Sequence, residues 1–442
     1  MNIRFCPRRP GQKPAAGMRH FLVLWSTQAF SALGSAMTSF ALIVWSYQQE
    51  GSALTTALLS VCSYAPYVAL GMVAGALIDR GPKSWDKKRI MLACDSLAAA
   101  ATLVVLLLLT TGRLRIGHLY ALNAVGGLMN AFQQPASDVA VSLLAPKEQY
   151  QRVGALQSLS HSLVTILGPL LASSLLALGG MRLVILADLL TFGAAFLTLA
   201  FFIRIPRPPE RDEGAGVLDA VRDGLRFLKR NRGILDLILF LAAINLIASL
   251  YNAALPAMLL SRQGGGQAVL GLVNACSGAA NVAGSVAVSL CRPPKSRVRV
   301  ICNALLFSMS TENLLLALGR SLPVWCVGAV LGWLLIPVMN ANMNALLRSR
   351  IPVELQGRVY AARNTLQFFT IPVGYLLGGV LVDRVCEPLM AAQPPGGPLV
   401  LLLGEGKGSG AALLYLALAA AGVLVCLAFR RDKAIWALEK DA

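Results

Sequence analysis

Pro146-Lys147-Glu148-Gln149-Tyr150-Gln151-Arg152-Val153 and Pro352-Val353-Glu354-Leu355-Gln356-Gly357-Arg358-Val359 carry proline, glutamate, arginine and valine at the same spacing, 206 residues apart. Each copy follows a long apolar stretch that contains asparagines. Each precedes another apolar stretch with a second proline, Pro169 in one case and Pro372 in the other. A repeat of this length in an apolar chain implies two halves of common design. Duplicated halves in a membrane imply two helical bundles that can rock about a site between them.

The composition agrees with a membrane setting. The 442 residues are 56% hydrophobic and 14% charged, with a mean hydropathy of +0.65; a soluble domain carries about a quarter charged residues. Apolar stretches near 20 residues recur along the whole chain, each long enough for a hydrocarbon core of about 30 Å. Twelve spans are predicted, at 21–47, 54–78, 90–111, 118–144, 153–178, 182–203, 234–260, 268–290, 300–318, 322–347, 360–385 and 411–430. They should be helices, because lipid requires every backbone hydrogen bond to be satisfied internally and no alternating barrel pattern occurs. The expected fold is an all-α integral membrane protein, with twelve transmembrane helices in two pseudo-symmetric six-helix bundles. The corresponding domains are a basic tail (1–20), an N-terminal bundle (21–203), a linker (204–233), a C-terminal bundle (234–430) and a second tail (431–442).

The net charge of +18 would suit nucleic acid only if it formed a soluble basic face, and there is none. With both termini cytoplasmic, 32 Lys and Arg fall in inside segments and 7 in outside loops. This is the positive-inside bias, and it predicts that topology. The linker carries Val217, Leu218, Val221, Leu225 and Leu228 between basic residues. It reads either as an amphipathic helix on the inner leaflet or as a bare solvated connection. The longest outside segment, 386–410, holds an apolar run too short to span and is expected to cap the outer mouth. The nine cysteines show neither CxxC nor zinc-like spacing and read as small packing residues. The sequence leaves translation starting at Met1 or Met18.

Gly75-Ala76-Leu77-Ile78-Asp79-Arg80-Gly81, followed by Lys87-Lys88-Arg89, joins spans 2 and 3. It resembles the G-x-L-x-D-R motif of the major facilitator superfamily. Gly75 permits close helix approach. Asp79, among the cations Arg80, Lys88 and Arg89, suits an inner-gate latch that forms and breaks as the halves move. The segment between spans 8 and 9 keeps Gly284, Arg292, Lys295 and Arg297 but lacks the aspartate. Leu167-Gly168-Pro169 in span 5 resembles the Gly-Pro helix-bend motif of exporters in that superfamily, with Pro372-Val373-Gly374 in span 11 as its counterpart. With Trp25-Ser26-Thr27-Gln28, Phe40-Ala41-Leu42, Pro352 to Arg363 and Cys386-Glu387-Pro388, the whole chain resembles macrolide-efflux and enterobactin-exporter-like permeases of the drug:proton antiporter branch. That resemblance implies an inner-membrane exporter that works as a monomer on a small amphipathic molecule, with protons as the coupling ion and no cofactor or metal. The chain has no G-x-x-x-x-G-K-[ST] loop for ATP and no nucleophile elbow for hydrolysis. A lipid flippase and a non-transporting membrane sensor or assembly partner are the alternative readings.

Ionisable groups inside spans are costly and therefore candidates for function. His161, Asp188 and Glu312 are the deepest and are the proton-coupling candidates. Spans 6 and 9 belong to the outer scaffold in the superfamily, which favours a structural pairing for Asp188 and Glu312. Asp95 and Asp138 read as inner-end ion pairs, Asp95 with Lys88 or Arg89. The arginine usual in span 4 of proton antiporters is absent, so another group must carry the proton. Neutral polar side chains fill the spans expected to line a cavity. They are Gln28, Ser31, Asn130, Gln133, Asn245, Asn252, Asn274, Asn281, Asn340 and Gln367. An amide-rich cavity suits a large amphipathic ligand with many hydrogen-bonding groups.

Overall fold

A computed structural model of the protein describes residues 14–80, 86–144, 150–203, 205, 225–290, 294–351 and 356–440. The prolines and glutamates of the two repeat copies, most of the 204–233 linker, and the side chains of Asp79, Arg80 and Asp138 lie outside the described residues. The valines that end the two copies, Val153 and Val359, are both buried.

The described chain is helical throughout. α1 (Pro14–Glu50), α2 (Ala53–Arg80), α3 (Lys87–Thr110) and α4 (Ile116–Leu144) are followed by a helical assignment over Tyr150–Leu197. A straight helix of 48 residues would measure about 70 Å, more than twice the hydrocarbon core. It is broken at Gly180, where φ 66° and ψ −167° leave the helical region; that left-handed φ favours glycine. Contacts on α1 show that the two arms fold back on each other. A Cβ on Gly168 would meet Ala36, and one on Gly34 would meet Thr191. Residues 168 and 191 lie almost equally far on either side of Gly180 and sit at the same level of α1. The arms are therefore two spans, α5 (150–179) and α6 (181–197), with a π-helical turn Thr198–Phe202 ending the second.

The C-terminal half has α7 (Arg232–Ser261), α8 (Gln267–Leu290), α9 (Arg297–Leu318), α10 (Leu322–Leu334 and Ile336–Arg350), α11 (from Gln356 to Ala391 in four pieces) and α12 (Ser409–Arg430). Among the described residues, ten helical segments meet the length and apolarity needed to cross a membrane; one of them holds both α5 and α6. The twelfth span is α4, whose amides lower its hydropathy. α10 breaks at Leu335, just before Pro337, a residue that cannot donate a backbone hydrogen bond. Gly284 of α8 packs into that break, since a Cβ there would lie 2.1 Å from the Leu334 carbonyl oxygen. α11 breaks at Phe369, three residues before Pro372. By contrast, α5 runs through Pro169 with no departure from helical geometry there. The short helix between α11 and α12, Pro398–Leu403, rests on α9 and α12 of its own bundle; its buried anchors are Val400 and Leu403.

Within each half the helices pack as a bundle, α1 on α5 and α6, α2 on α4, α7 on α11 and α9 on α12. Between the halves, α5 packs on α8 and α2 on α11. Glycines set both crossings. Gly271 and Gly278 of α8 face Ser173 and Ile166 of α5, and Gly379 of α11 faces Leu54 and Ala57 of α2. Small residues allow backbones to meet where lipid supplies no hydrophobic driving force.

Candidate functional site

A cavity of about 210 Å³ lies where three helices from each bundle converge. Phe40 of α1, Thr56 and Ser60 of α2 and Pro169 of α5 line one side; Asn252 of α7, Asn274 of α8 and Tyr375 of α11 line the other. Tyr375 stacks on Tyr64 across the interface with ring centroids 5.8 Å apart. At the end of the molecule away from the termini, the Tyr47 hydroxyl of α1 donates to the Ala257 carbonyl of α7 at 3.2 Å and lies 2.5 Å from the Ser261 hydroxyl. The two bundles are thus shut together at this distal end.

A second cavity, of about 200 Å³, lies within the C-terminal bundle and meets the first at Asn252, which lines both. Its wall includes the sequence candidates Asn245, Asn252, Asn340, Gln367 and Glu312, together with Tyr251, Met309 and Trp333. Glu312 is buried. Trp333 Nε1 donates to its Oε1 at 3.1 Å. Gly332 makes room for the carboxylate, because a Cβ there would lie 2.1 Å from Oε2. The Ser308 hydroxyl donates to the Gly332 carbonyl at 2.6 Å and fixes this stretch of α10. Glu312 therefore faces a cavity, not the lipid-side scaffold that its place in span 9 suggests, since the break in α10 and Gly332 open the bundle beside it.

The amides are held in part by their own helices. Asn252 and Asn274 each donate to the carbonyl four residues earlier, Ala248 at 2.8 Å and Leu270 at 2.9 Å, which leaves their side-chain oxygens as acceptors for a ligand. Asn245 donates to the Gln367 carbonyl at 3.3 Å. Arg363 Nε donates to Gln367 Oε1 at 3.1 Å, and its guanidinium also reaches Asn344. This puts a guanidinium one hydrogen bond behind the cavity wall, through Gln367.

The N-terminal candidates do not converge in the same way. Asp188 is buried against α1, where Thr38 donates to Oδ2 at 2.8 Å and Ser35 to Oδ1 at 3.3 Å. Asp95 accepts from Gln133 of α4, not from Lys88. Lys88 instead donates to the carbonyls of Ala200 and Ile203 at 2.8 Å each, capping the end of α6. Arg89 is exposed. Gln28, Ser31 and Asn281 are half-buried, and Asn130 and His161 are exposed; none of these lines either cavity. Gly75 lies in the last turns of α2, outside the described side chains.

Sequence reasoning missed Tyr251, Trp333, Arg363 and Asp383. The aromatics carry no spacing signal that separates a cavity wall from a core. Asp383 did carry one. Gly379-Val380-Leu381-Val382-Asp383-Arg384 repeats the G-x-L-x-D-R pattern of Gly75 to Arg80. It places an aspartate at the distal end of α11, where its carboxylate bonds the start of α2.

The chain is similar to known proteins in sequence and, separately, in fold. Macrolide efflux protein A of Streptococcus pyogenes is 24% identical over 370 residues, covering 83% of this chain and 90% of its own. The multidrug efflux pump Tap of Mycobacterium tuberculosis is 24% identical over 377 residues, covering 82% and 87%. Among solved structures, a point mutant of the nucleoside transporter NupG superposes with a TM-score of 0.68 at 11% identity, covering 93% of this chain and 98% of its own. A bacterial homologue of the iron transporter ferroportin, in an inward-facing state, superposes at 0.66 with 16% identity, covering 94% and 98%. The profile of the Major Facilitator Superfamily matches residues 24–385. With twelve spans in two bundles about a shared cavity, the chain belongs to the Major Facilitator Superfamily.

Proposed function

We propose that the protein is a secondary transporter, not an enzyme, that exports a small amphipathic molecule such as a macrolide, a siderophore or another secondary metabolite. Transport proceeds by alternating access and is driven by proton antiport. The observation that carries this reading is the pair of cavities meeting at Asn252, rich in amides and aromatics and closed at the distal end. Such a lining offers apolar area and hydrogen-bond acceptors together, which suits a ligand of mixed polarity. The relatives named for macrolide and multidrug efflux support the same direction.

In this reading the protein sits in a bacterial inner membrane with both termini in the cytoplasm, an orientation that the charge bias of 32 to 7 supports, and the closed distal end faces outward. Loading then occurs from the inside. The inner latch assigned to Gly75, Asp79, Arg80, Lys88 and Arg89, and the working unit as a monomer, belong to the same proposal. Among the coupling candidates Glu312 has the strongest support, because it alone is both buried and open to a cavity. Everted inner-membrane vesicles that hold the full chain test the reading. Accumulation of a macrolide should require an imposed proton gradient and collapse with an uncoupler. Accumulation of lysophospholipid in its place would favour the flippase reading, and uncoupler-insensitive uptake would rule out proton antiport.

A further inference from the structure

Asp383 belongs to the C-terminal bundle, but its carboxylate sits on the first turn of α2 in the N-terminal bundle. Oδ2 accepts from the Ser52 hydroxyl at 2.6 Å and from the Leu54 N–H at 2.8 Å; Oδ1 accepts from the Ala53 N–H at 3.0 Å. The first N–H groups of a helix have no partner within it, and a carboxylate there meets both unsatisfied donors and the positive end of the helix dipole. Capping groups normally come from the residue just before the helix. Ser52 supplies that local cap, its hydroxyl accepting from the Thr55 N–H at 3.1 Å; Asp383, 330 positions away in the opposite bundle, takes the Ala53 and Leu54 N–H groups and the Ser52 hydroxyl proton as well.

The surrounding backbone is built for this contact. Residues Leu381–Cys386 form a π-helical turn, a local bulge that re-aims a side chain. One turn earlier, Gly379 lets α11 touch the α2 backbone, since a Cβ there would lie 2.6 Å from Leu54 Cα. The same corner holds Lys407 over the Tyr47 ring at 5.7 Å and Glu387, which accepts from the Gly408 N–H at 2.8 Å. α2 ends, and the inner part of α11 begins, at the face that bears the termini, so the two helices run antiparallel. Each carries G-x-L-x-D-R toward its C-terminal end, and the two copies therefore lie at opposite faces.

We propose that Asp383 is the latch of the outer gate, a positioning residue that keeps the distal end shut by capping α2 from the opposite bundle. The inference rests on alternating access as proposed above. When the bundles part on the outside, the three hydrogen bonds to Asp383 break together and water takes their place. The two hexapeptides are then opposed latches, Asp383 holding the outer face and Asp79 the inner, and the balance between them sets the ratio of outward-open to inward-open protein.

The test is single-molecule energy transfer on the full chain in lipid nanodiscs. Dyes on non-canonical amino acids replace Arg113 and Gln263, exposed distal positions in the two bundles. Asp383→Asn should raise the ratio of outward-open to outward-closed protein about tenfold, the equivalent of ~1.4 kcal/mol. Ser52→Ala removes one donor of three, along with the local Thr55 cap, which lies within one bundle and is lost equally in both states, and should raise the ratio several-fold, whereas Asp383→Glu keeps the charge and should stay near wild type. Asp79→Asn should move the ratio the other way, and the double variant Asp79→Asn, Asp383→Asn should return toward wild type. A folded Asp383→Asn protein within twofold of wild type overturns the latch. If that variant does not fold, an unchanged ratio in Ser52→Ala overturns it. A response to Asp79→Asn without one to Asp383→Asn removes the outer latch alone. A single fixed distance in every variant removes alternating access and the latch with it.

Discussion

Gly378 and Gly379 are neighbours in sequence that face different bundles, and substituting each to alanine separates gate closure from folding. A Cβ on Gly379 would lie 2.6 Å from Leu54 Cα, 3.0 Å from Ala57 Cβ and 3.2 Å from the Ala53 carbonyl oxygen, all in the opposite bundle. Ordinary contact begins near 3.4 Å, so α2 and α11 must separate by about 0.8 Å where they cross. The obstacles are backbone atoms and a methyl, none of which can swing away. Overpacking of this kind costs about 1–3 kcal/mol, which corresponds to about a 5- to 150-fold change in an equilibrium. Under the alternating access proposed above, the cost falls on the state closed at the distal end, because opening that end would part α2 and α11. Gly378→Ala instead meets Ala253 Cβ at 2.7 Å and Leu250 Cα at 3.1 Å, both in its own bundle. It should lower the stability of the C-terminal bundle in every state, with a fall in Tm and no conformational bias. The assay is the distal-end distance distribution together with thermal unfolding of each variant. Equal populations in Gly379→Ala and wild type, or a shift in Gly378→Ala as large as in Gly379→Ala, would refute the assignment of Gly379 to the gate.

Glu312→Gln keeps the shape and the Trp333 bond but cannot ionise. Uphill accumulation in vesicles should fall at least tenfold while downhill exchange persists, and unchanged uncoupler-sensitive accumulation would shift the coupling role to another group. Thr38→Val leaves Asp188 Oδ2 without its 2.8 Å donor. An unmet buried acceptor costs about 1–3 kcal/mol, so Tm should drop by a few degrees, and an unchanged Tm would show that Asp188 finds a substitute. Asn252→Leu fills the junction of the two cavities with an apolar group and should raise the KM for a macrolide about tenfold with little change in expression; an unaltered KM would place substrate elsewhere. Labelling of a cysteine at Lys407 by an impermeant reagent applied outside intact cells checks the topology, and protection at that site would invert it.

The sequence alone determined the twelve spans, because spanning lipid is a local property of composition. Apolar length, helix geometry and the backbone's need for internal hydrogen bonds act within each segment, and the boundaries at α7, α8 and α9 fall within three residues of expectation. The hairpin between α5 and α6 was legible for the same reason, as Gly179-Gly180 divides a stretch too long for one crossing. Asn245 and Asn252 of α7 and Asn340 of α10 line a cavity, as the rule that a polar side chain in lipid must face protein or water leads one to expect. The side of a helix that meets a cavity was another matter. Glu312 lies on a helix that fold-level symmetry puts at the periphery, and it reaches the cavity only because α10 breaks at Leu335 and offers Gly332 beside it. Asp95 sits seven residues from Lys88 in sequence, but the helix turn and the crossing of α4 give it Gln133 instead. Asp383 bonds a helix start some 330 residues earlier. Such pairings depend on helix rotation, kinks and the docking of two bundles, which are settled by packing over the whole molecule and leave only faint marks in any short stretch of sequence.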